Sequence, residues 1–271
     1  MKNVSIYLGL TLLAVFLAMP FVWSLFVSLH ESRSAIPEFS KIVPGRPHWE
    51  NYKTVVLNEQ VPVLRFFINS LIVSVFVVIG QLFVCSSAAF ALARLPFRGR
   101  DLVFALFLGT MMFSGTVVQV PLYLIVRQLS WLDTYFALIM PSVGSAFGVF
   151  LLRQFFLQIP REIDEAARLD GANEWTLYWK LLLPVSKPAL GTLGAFAFIA
   201  TWTDFFWPLI ATSSLEMRTV EVGLSIFKNS YGGTNWPLQN TAAVVALIPV
   251  LVVFLCLQRF FVRGITLGSG K

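Results

Sequence analysis

The residues able to do chemistry are few and scattered. His30 and His48 are too isolated to form a metal cluster. Cys85 and Cys256 both sit inside apolar runs, which argues against a disulfide framework or a zinc site. No Cys/His or His/Asp constellation points to catalysis, so no catalytic and no metal residue is assigned. Gly270-Lys271 looks like a fragment of a phosphate loop, but Ile265 occupies the place of the first Gly and no Ser or Thr follows. The informative polar residues are instead an acidic run, Glu162, Asp164, Glu165 and Asp170, and Asp204, the single acid within a long apolar stretch. An acid placed in such a stretch marks a functional position by default.

The surroundings of these residues are those of a membrane protein. Of 271 residues, 57% are hydrophobic and 13% charged, against about 45–50% and about 25% in soluble domains. Mean hydropathy is +0.76. Charge-poor runs define six helical spans: Val4–Leu29, Phe66–Ala93, Leu102–Val126, Thr134–Leu152, Pro188–Ser214 and Asn240–Gln258. Each can supply the ~20 residues that a bilayer core requires. The first is too long for a cleaved signal peptide. The runs lack the alternation of barrel strands, so the expected fold is an all-α integral membrane protein with six transmembrane helices.

An even number of spans puts both termini on one side. That side carries 12 Lys and Arg against 8 on the other, which places the termini in the cytoplasm. The net charge of +6 therefore reads as membrane topology, not as a nucleic-acid surface. Small residues (Ser86 to Ala89, Gly144, Gly148, Gly191, Gly194) read as close helix packing. Outside the bilayer, Trp49, Tyr52 and Val56 share a helical face on an outer interfacial helix. Tyr231 to Trp236 belong to an outer loop able to meet an external partner.

The acidic run lies between spans four and five, on the cytoplasmic side. Pro160 suits the first position of a helix, and Glu162, Asp164 and Glu165 fall near its positive end. Ile163, Ala166 and Ala167 share a face. Asp170-Gly171 stops the helix in a left-handed turn. Asn173 caps a second helix whose Trp175, Tyr178, Trp179 and Leu182 share a face, and Pro184 ends it. A small-residue face with an acidic flank suits a protein cleft lined by Arg or Lys better than anionic lipid.

Glu165-Ala166-Ala167, then Gly171 after three residues, then Leu181, Leu183 and Pro184, resembles the EAA signature of binding-protein-dependent ABC importer permeases of type I. The stretch Glu165 to Ala172 is similar to the MalG-type carbohydrate branch, with Asp164 where that branch more usually has Glu. Thr203 to Leu209 and Gln258 to Gly264 resemble further segments of it.

The resemblance implies a coupling loop (158–187) inside a core of five helices (66–263), preceded by a first helix and outer loop (1–65) and followed by a tail (264–271). It implies an ATPase-coupling set of Glu165, Ala166, Ala167, Asp170, Gly171, Leu183 and Pro184, with Glu165 meeting a basic residue of the ATPase groove. The implied partners are a second homologous permease, a cytoplasmic ATPase dimer that itself binds ATP and Mg, an extracytoplasmic substrate-binding protein, and inner-membrane lipid. No cofactor is expected in this chain. The implied activity is sugar import, with a polyol or phosphodiester as the alternative solute; a secondary transporter would need more intramembrane acids and matching halves. Trp202, Asp204 and Gln119 are candidates for the substrate pathway, since ring faces and carboxylates suit sugars. Asp204 as a helix cap is an equally good reading. Gln119, Thr116 and Asn69 are further pore candidates, each better read as a structural interhelical bond.

Overall fold

The structure, a computed structural model, describes residues 2–31, 43–57, 61–227 and 235–268. Arg33, Lys41, Lys228, residues 231–234 of the outer loop and the last three residues of the tail lie outside them. All regular elements among the described residues are helices. They are α1 (Lys2–Ser28), α2 (Glu50–Val56), α3 (Val63–Arg94), α4 (Arg100–Thr110), α5 (Gly115–Gln128), α6 (Tyr135–Ile139), α7 (Ala146–Gln158), α8 (Arg161–Leu169), α9 (Glu174–Val185), α10 (Lys187–Trp202), α11 (Phe206–Ala211), α12 (Val220–Phe227) and α13 (Trp236–Gly268). Among the described residues, four spans are long and apolar enough to cross a membrane: one each in α1, α3 and α13, and one formed by α6 with α7. The number becomes six if the bent pairs α4–α5 and α9–α10 count as one span each.

Two of the expected spans are interrupted. The run Leu102–Val126 is not one rod, because α4 and α5 meet at 100° across residues 111–114. Gly109 and Gly115 weaken the helix on both sides of the break, Ser114 is extended, and the Thr110 hydroxyl donates to the Phe107 carbonyl at 2.7 Å. The run Pro188–Ser214 is likewise interrupted: α10 ends at Trp202 and the chain resumes helix only at Phe206. Within the fourth run, a tight turn at Met140–Ser142 separates α6 from α7. Pro141 has no N–H to offer there, and Ser145 restarts the helix by accepting the Gly148 N–H at 3.1 Å. The last helix runs past Gln258 to Gly268, through residues read as tail.

The chain forms two compact units, Met1–Ile68 with Thr219–Pro249, and Asn69–Arg218 with Val250–Lys271. In the first, α2 is tied down by Asn51, whose amide donates to the carbonyls of Ser28 and His30 at 2.8 and 2.7 Å. Its inward residues are Asn51 and Val55, whereas Trp49 of the expected aromatic face is exposed. The Thr241 hydroxyl of α13 also donates to the Ser28 carbonyl.

The second unit has two apolar cores. Toward the start of α3, Val73 and Val77 pack with Ala137, Leu138 and Trp207, whose indole donates to the Ala137 carbonyl at 2.9 Å. Asn69 is fully used: its amide donates to the carbonyls of Glu216 and Arg218, and it accepts from the Tyr135 hydroxyl. Toward the end of α3, a larger core joins Cys85, Ala89, Phe90 and Ala93 to Val149, Leu152 and Phe156 of α7, to Leu177, Tyr178 and Leu182 of α9, and to Ala189 and Leu193 of α10. Four helices converge there because small residues stand at the crossing.

Gly148 shows how tight that crossing is. A Cβ on it would lie 2.9 Å from the Cys85 sulfur and 3.0 Å from Leu193 Cδ1, whereas one on Gly144 would meet nothing within 4 Å. Gly148→Leu is therefore expected to cost about 1–3 kcal/mol by overpacking. Gly144→Ala is expected to leave stability unchanged. Thermal unfolding of the two variants in detergent distinguishes them.

Candidate functional site

Helix α8 is short, with Pro160 as its N-cap residue and not its first helical residue. Glu162 and Asp164 lie in its first turn and Arg168 in its last, as the helix dipole favours. It stops in a Schellman turn. The Gly171 N–H donates to the Arg168 carbonyl at 3.0 Å, the Ala172 N–H to the Ala167 carbonyl at 2.9 Å, and Gly171 has φ +84°. Asn173 caps α9 by accepting the Thr176 N–H at 2.8 Å. Arg168 spans the turn to both carboxylate oxygens of Glu174, at 3.2 and 3.3 Å. That pair is half exposed, worth at most about 1 kcal/mol, and it holds the turn in register.

The central turn of α9, Leu177–Leu182, is a π-helix. Its wider i→i+5 spacing puts Leu177 and Leu182 on one face, both buried with Tyr178. The expected face of Trp175, Tyr178, Trp179 and Leu182 is thus split: Trp175 and Trp179 point outward. Pro184 does not end the helix; the turn after it runs to Val185, and the 77° bend to α10 follows at Ser186.

Which face of α8 points inward also differs from the periodicity. Ala167 packs against the core, but Ile163 and Ala166 are exposed. The buried residue is Asp164. Its carboxylate lies 3.0 Å from Nε of Arg94, the last residue of α3, and the two side chains are only 5% and 2% exposed. Arg94 also donates from Nη2 to the Ile159 carbonyl at 2.8 Å. Burial pushes the Asp164 carboxyl above its ordinary range, and the Arg94 cation pulls it back. Removing either partner would strand the other charge, at about 3–5 kcal/mol. Nothing in the spacing of Arg94 and Asp164 signals this pairing; it depends on the crossing of α3 over the loop.

Arg153 of α7 adds a second anchor. It donates to the Leu92 carbonyl at 3.1 Å, its guanidinium sits 3.8 Å over the Phe104 ring, and it lies 3.6 Å from Asp101. The hydroxyl of Tyr178 lies 2.7 Å from that of Ser86 and 3.2 Å from that of Ser87.

The outward face of the α8–α9 pair is continuous and mixed. Glu165, Ala166 and Asp170 are exposed alongside Ile163, Trp175 and Trp179, and Leu169 is 89% exposed. Leu183 packs on the core while Pro184 is exposed. The loop residues picked out from the sequence thus form one helix–turn–helix, with Ala167 and Leu183 on its inner side. Leu169 and the two Trp residues complete the exposed patch; a lone apolar residue before the turn was the only hint of Leu169. Such a face, apolar with an acidic rim, can seat in a complementary protein groove.

The other three candidates sit on separate elements. Trp202 ends α10, is 1% exposed and stacks on Phe198. Asp204 lies in the break before α11 and accepts the Trp207 N–H at 3.4 Å, while Phe205 occupies the N-cap position. Gln119 is half buried in α5, and its Oε1 is buried with no hydrogen bond among the described residues. At the opposite end of the second unit, Asp133 accepts from the Ser213 and Ser214 N–H groups. Burial works against its charge, but these donors win and hold it below the usual carboxylate range.

A family model described as "binding-protein-dependent transport system inner membrane component" matches residues 86–267. The arabinooligosaccharides transport system permease protein of Bacillus subtilis (strain 168) is 32% identical over 274 residues, covering 98% of this chain and 97% of that one. The sn-glycerol-3-phosphate transport system permease protein of Yersinia pestis bv. Antiqua (strain Antiqua) is 34% identical over 229 residues, covering 83% and 82%. Among solved structures, a chain of a bacterial ABC transporter involved in the import of the acidic polysaccharide alginate matches with a TM-score of 0.84, at 23% identity and 96% coverage of both chains. That last likeness speaks for the fold.

The left-handed turn is the local feature that orients α8 on α9. Gly171→Val forces a β-branched residue to positive φ, which costs about 1–2 kcal/mol. The expected result is faster amide exchange at Gly171 and Ala172 positions and through α9, with exchange in α3 and α7 unchanged.

Proposed function

The chain belongs to the binding-protein-dependent transport system inner membrane component family, and from that premise we propose that it is one permease subunit of an ATP-driven importer of saccharides. It forms half of the translocation pathway beside a second, homologous permease. A substrate-binding protein delivers the solute from outside. ATP and Mg are bound and hydrolysed by a separate ATPase dimer on the cytoplasmic side. The Lys and Arg distribution supports cytoplasmic termini and a cytoplasmic α8–α9 loop.

One observation carries this reading. The residues Glu165, Ala166, Asp170 and Gly171 lie on an outward-facing helix–turn–helix whose back packs on the membrane helices. A joint that transmits force needs an exposed contact face and an unyielding back. In this reading the exposed carboxylate of Glu165 pairs with a basic residue of the ATPase groove. The saccharide assignment rests on the arabinooligosaccharide relative, which covers nearly the whole chain. The glycerol-3-phosphate relative supports a polyol phosphate as the second reading. Competition of each solute class against uptake by the reconstituted transporter separates the two.

Glu165→Lys places like charges together at the contact, where disturbing a paired charge costs about 2–5 kcal/mol. The expected outcome is a permease inserted at normal abundance that retains little ATPase in a pull-down and transports nothing. Wild-type ATPase recovery with undiminished uptake would sink the docking assignment.

Asp204→Asn tests the pathway assignment. The Asn amide oxygen can accept the Trp207 N–H as the carboxylate does, so that bond is kept while the negative charge is lost. Solute uptake is expected to fall while the assembled complex still hydrolyses ATP. Normal uptake at every solute concentration would remove Asp204 from the pathway.

A further inference from the structure

The permease reading says where the ATPase docks but not how its motion enters the membrane helices. We propose that Arg94 and Asp164 are the positioning pair that locks the docking helix α8 to α3, so that α3 and α8 move as one body during the transport cycle. The proposal rests on the permease reading, and it adds the route of transmission within this chain.

Three polar attachments from the loop side land on the last turns of α3. Asp164 of α8 meets Arg94 at 3.0 Å, and Arg94 binds the Ile159 carbonyl just ahead of α8 at 2.8 Å. Tyr178 of α9 meets Ser86 and Ser87. Arg153, on the helix that leads into α8, donates to the Leu92 carbonyl. These attachments are spread over two turns of α3 and approach it from three elements, so α8 cannot pivot about any one of them. Apolar packing alone would let the elements slide. A buried ion pair does not slide, because separating the charges inside protein leaves each unsolvated.

The attachment to α10 is of another kind. It follows α9 directly, but through a 77° bend at Ser186, whose buried hydroxyl has no hydrogen bond among the described residues. The exposed face of α8 takes the load, and the buried Asp164 on its opposite side passes it to α3.

The test uses the complete transporter, with both permeases, the ATPase dimer and the binding protein in liposomes. In a chain carrying Cys85→Ala and Cys256→Ala, spin labels are placed at Val84→Cys on α3 and Arg161→Cys at the start of α8, both exposed positions outside the docking patch. The label–label distance is expected to be the same in the nucleotide-free and ATP-trapped states. With Arg94→Gln added, it is expected to differ between the states or broaden. A distance that changes between states in the parent chain overturns the proposal.

Function is read in parallel as the ratio of binding-protein-stimulated to basal ATPase rate, per assembled complex. Arg94→Gln and Asp164→Asn are each expected to lower that ratio about tenfold, with the ATPase still bound. The exchanged pair, Arg94→Asp with Asp164→Arg, is expected to recover part of it. Tyr178→Phe removes only one hydroxyl and leaves the packing intact; it is expected to lower the ratio less than either ion-pair variant. Single variants with a wild-type ratio, or an exchanged pair no better than the singles, count against the proposal. Failure of the parent chain to retain the ATPase would instead overturn the permease reading, and this inference with it.

Discussion

Two opposite charges kept from water at the end of a membrane helix constrain this structure more than any other single contact. Arg94 and Asp164 can be buried only while they face each other. Their pairing sets which side of α8 turns inward, and therefore which side turns out. Ala167 follows Asp164 into the core, and Glu165, Ala166 and Leu169 are left exposed. The chemistry that the loop offers to a partner is thus decided on its hidden face.

The surrounding packing is arranged to permit that contact. Ala89, Ala93, Gly148 and Ala189 keep α3, α7 and α10 close enough for the loop to rest on all three. The π turn of α9 lets Leu177 and Leu182 reach the same core while Tyr178 reaches Ser86. Irregular backbone elsewhere serves a different end. The breaks at 111–114 and 203–205 lie in apolar spans, where free backbone groups are tolerated only against protein or a wet cavity. Their presence fits a pathway lined by interrupted helices better than a bundle of uniform rods.

Much of this was legible in the amino-acid order, for physical reasons that differ by residue. The long spans show because bilayer burial demands unbroken apolar runs. The Gly171 turn and the Asn173 cap show because left-handed backbone and orphan N–H groups select few residue types. The breaks in the third and fifth runs were not legible, since hydropathy is blind to backbone angle. The inward position of Asp164 was hidden for another reason. Helical periodicity sorts residues by polarity, and a buried carboxylate violates that sorting unless its partner is known. Arg94 lies 70 positions earlier, at the end of a different helix. The wide π turn defeated the 3.6-residue spacing in the same way: it buries Leu177 beside Leu182 and leaves Trp179 exposed.

The length of α3 carries one more consequence. Its 32 residues make a rod of about 48 Å, well beyond the ~30 Å hydrocarbon core of a bilayer. A helix that long crosses at a tilt or stands beyond the hydrocarbon, and the helices packed on it and its interfacial anchors set which. Because α8 is fastened to the end of this rod by the Arg94–Asp164 pair, the orientation of the loop's exposed face is inherited from the way α3 itself is packed.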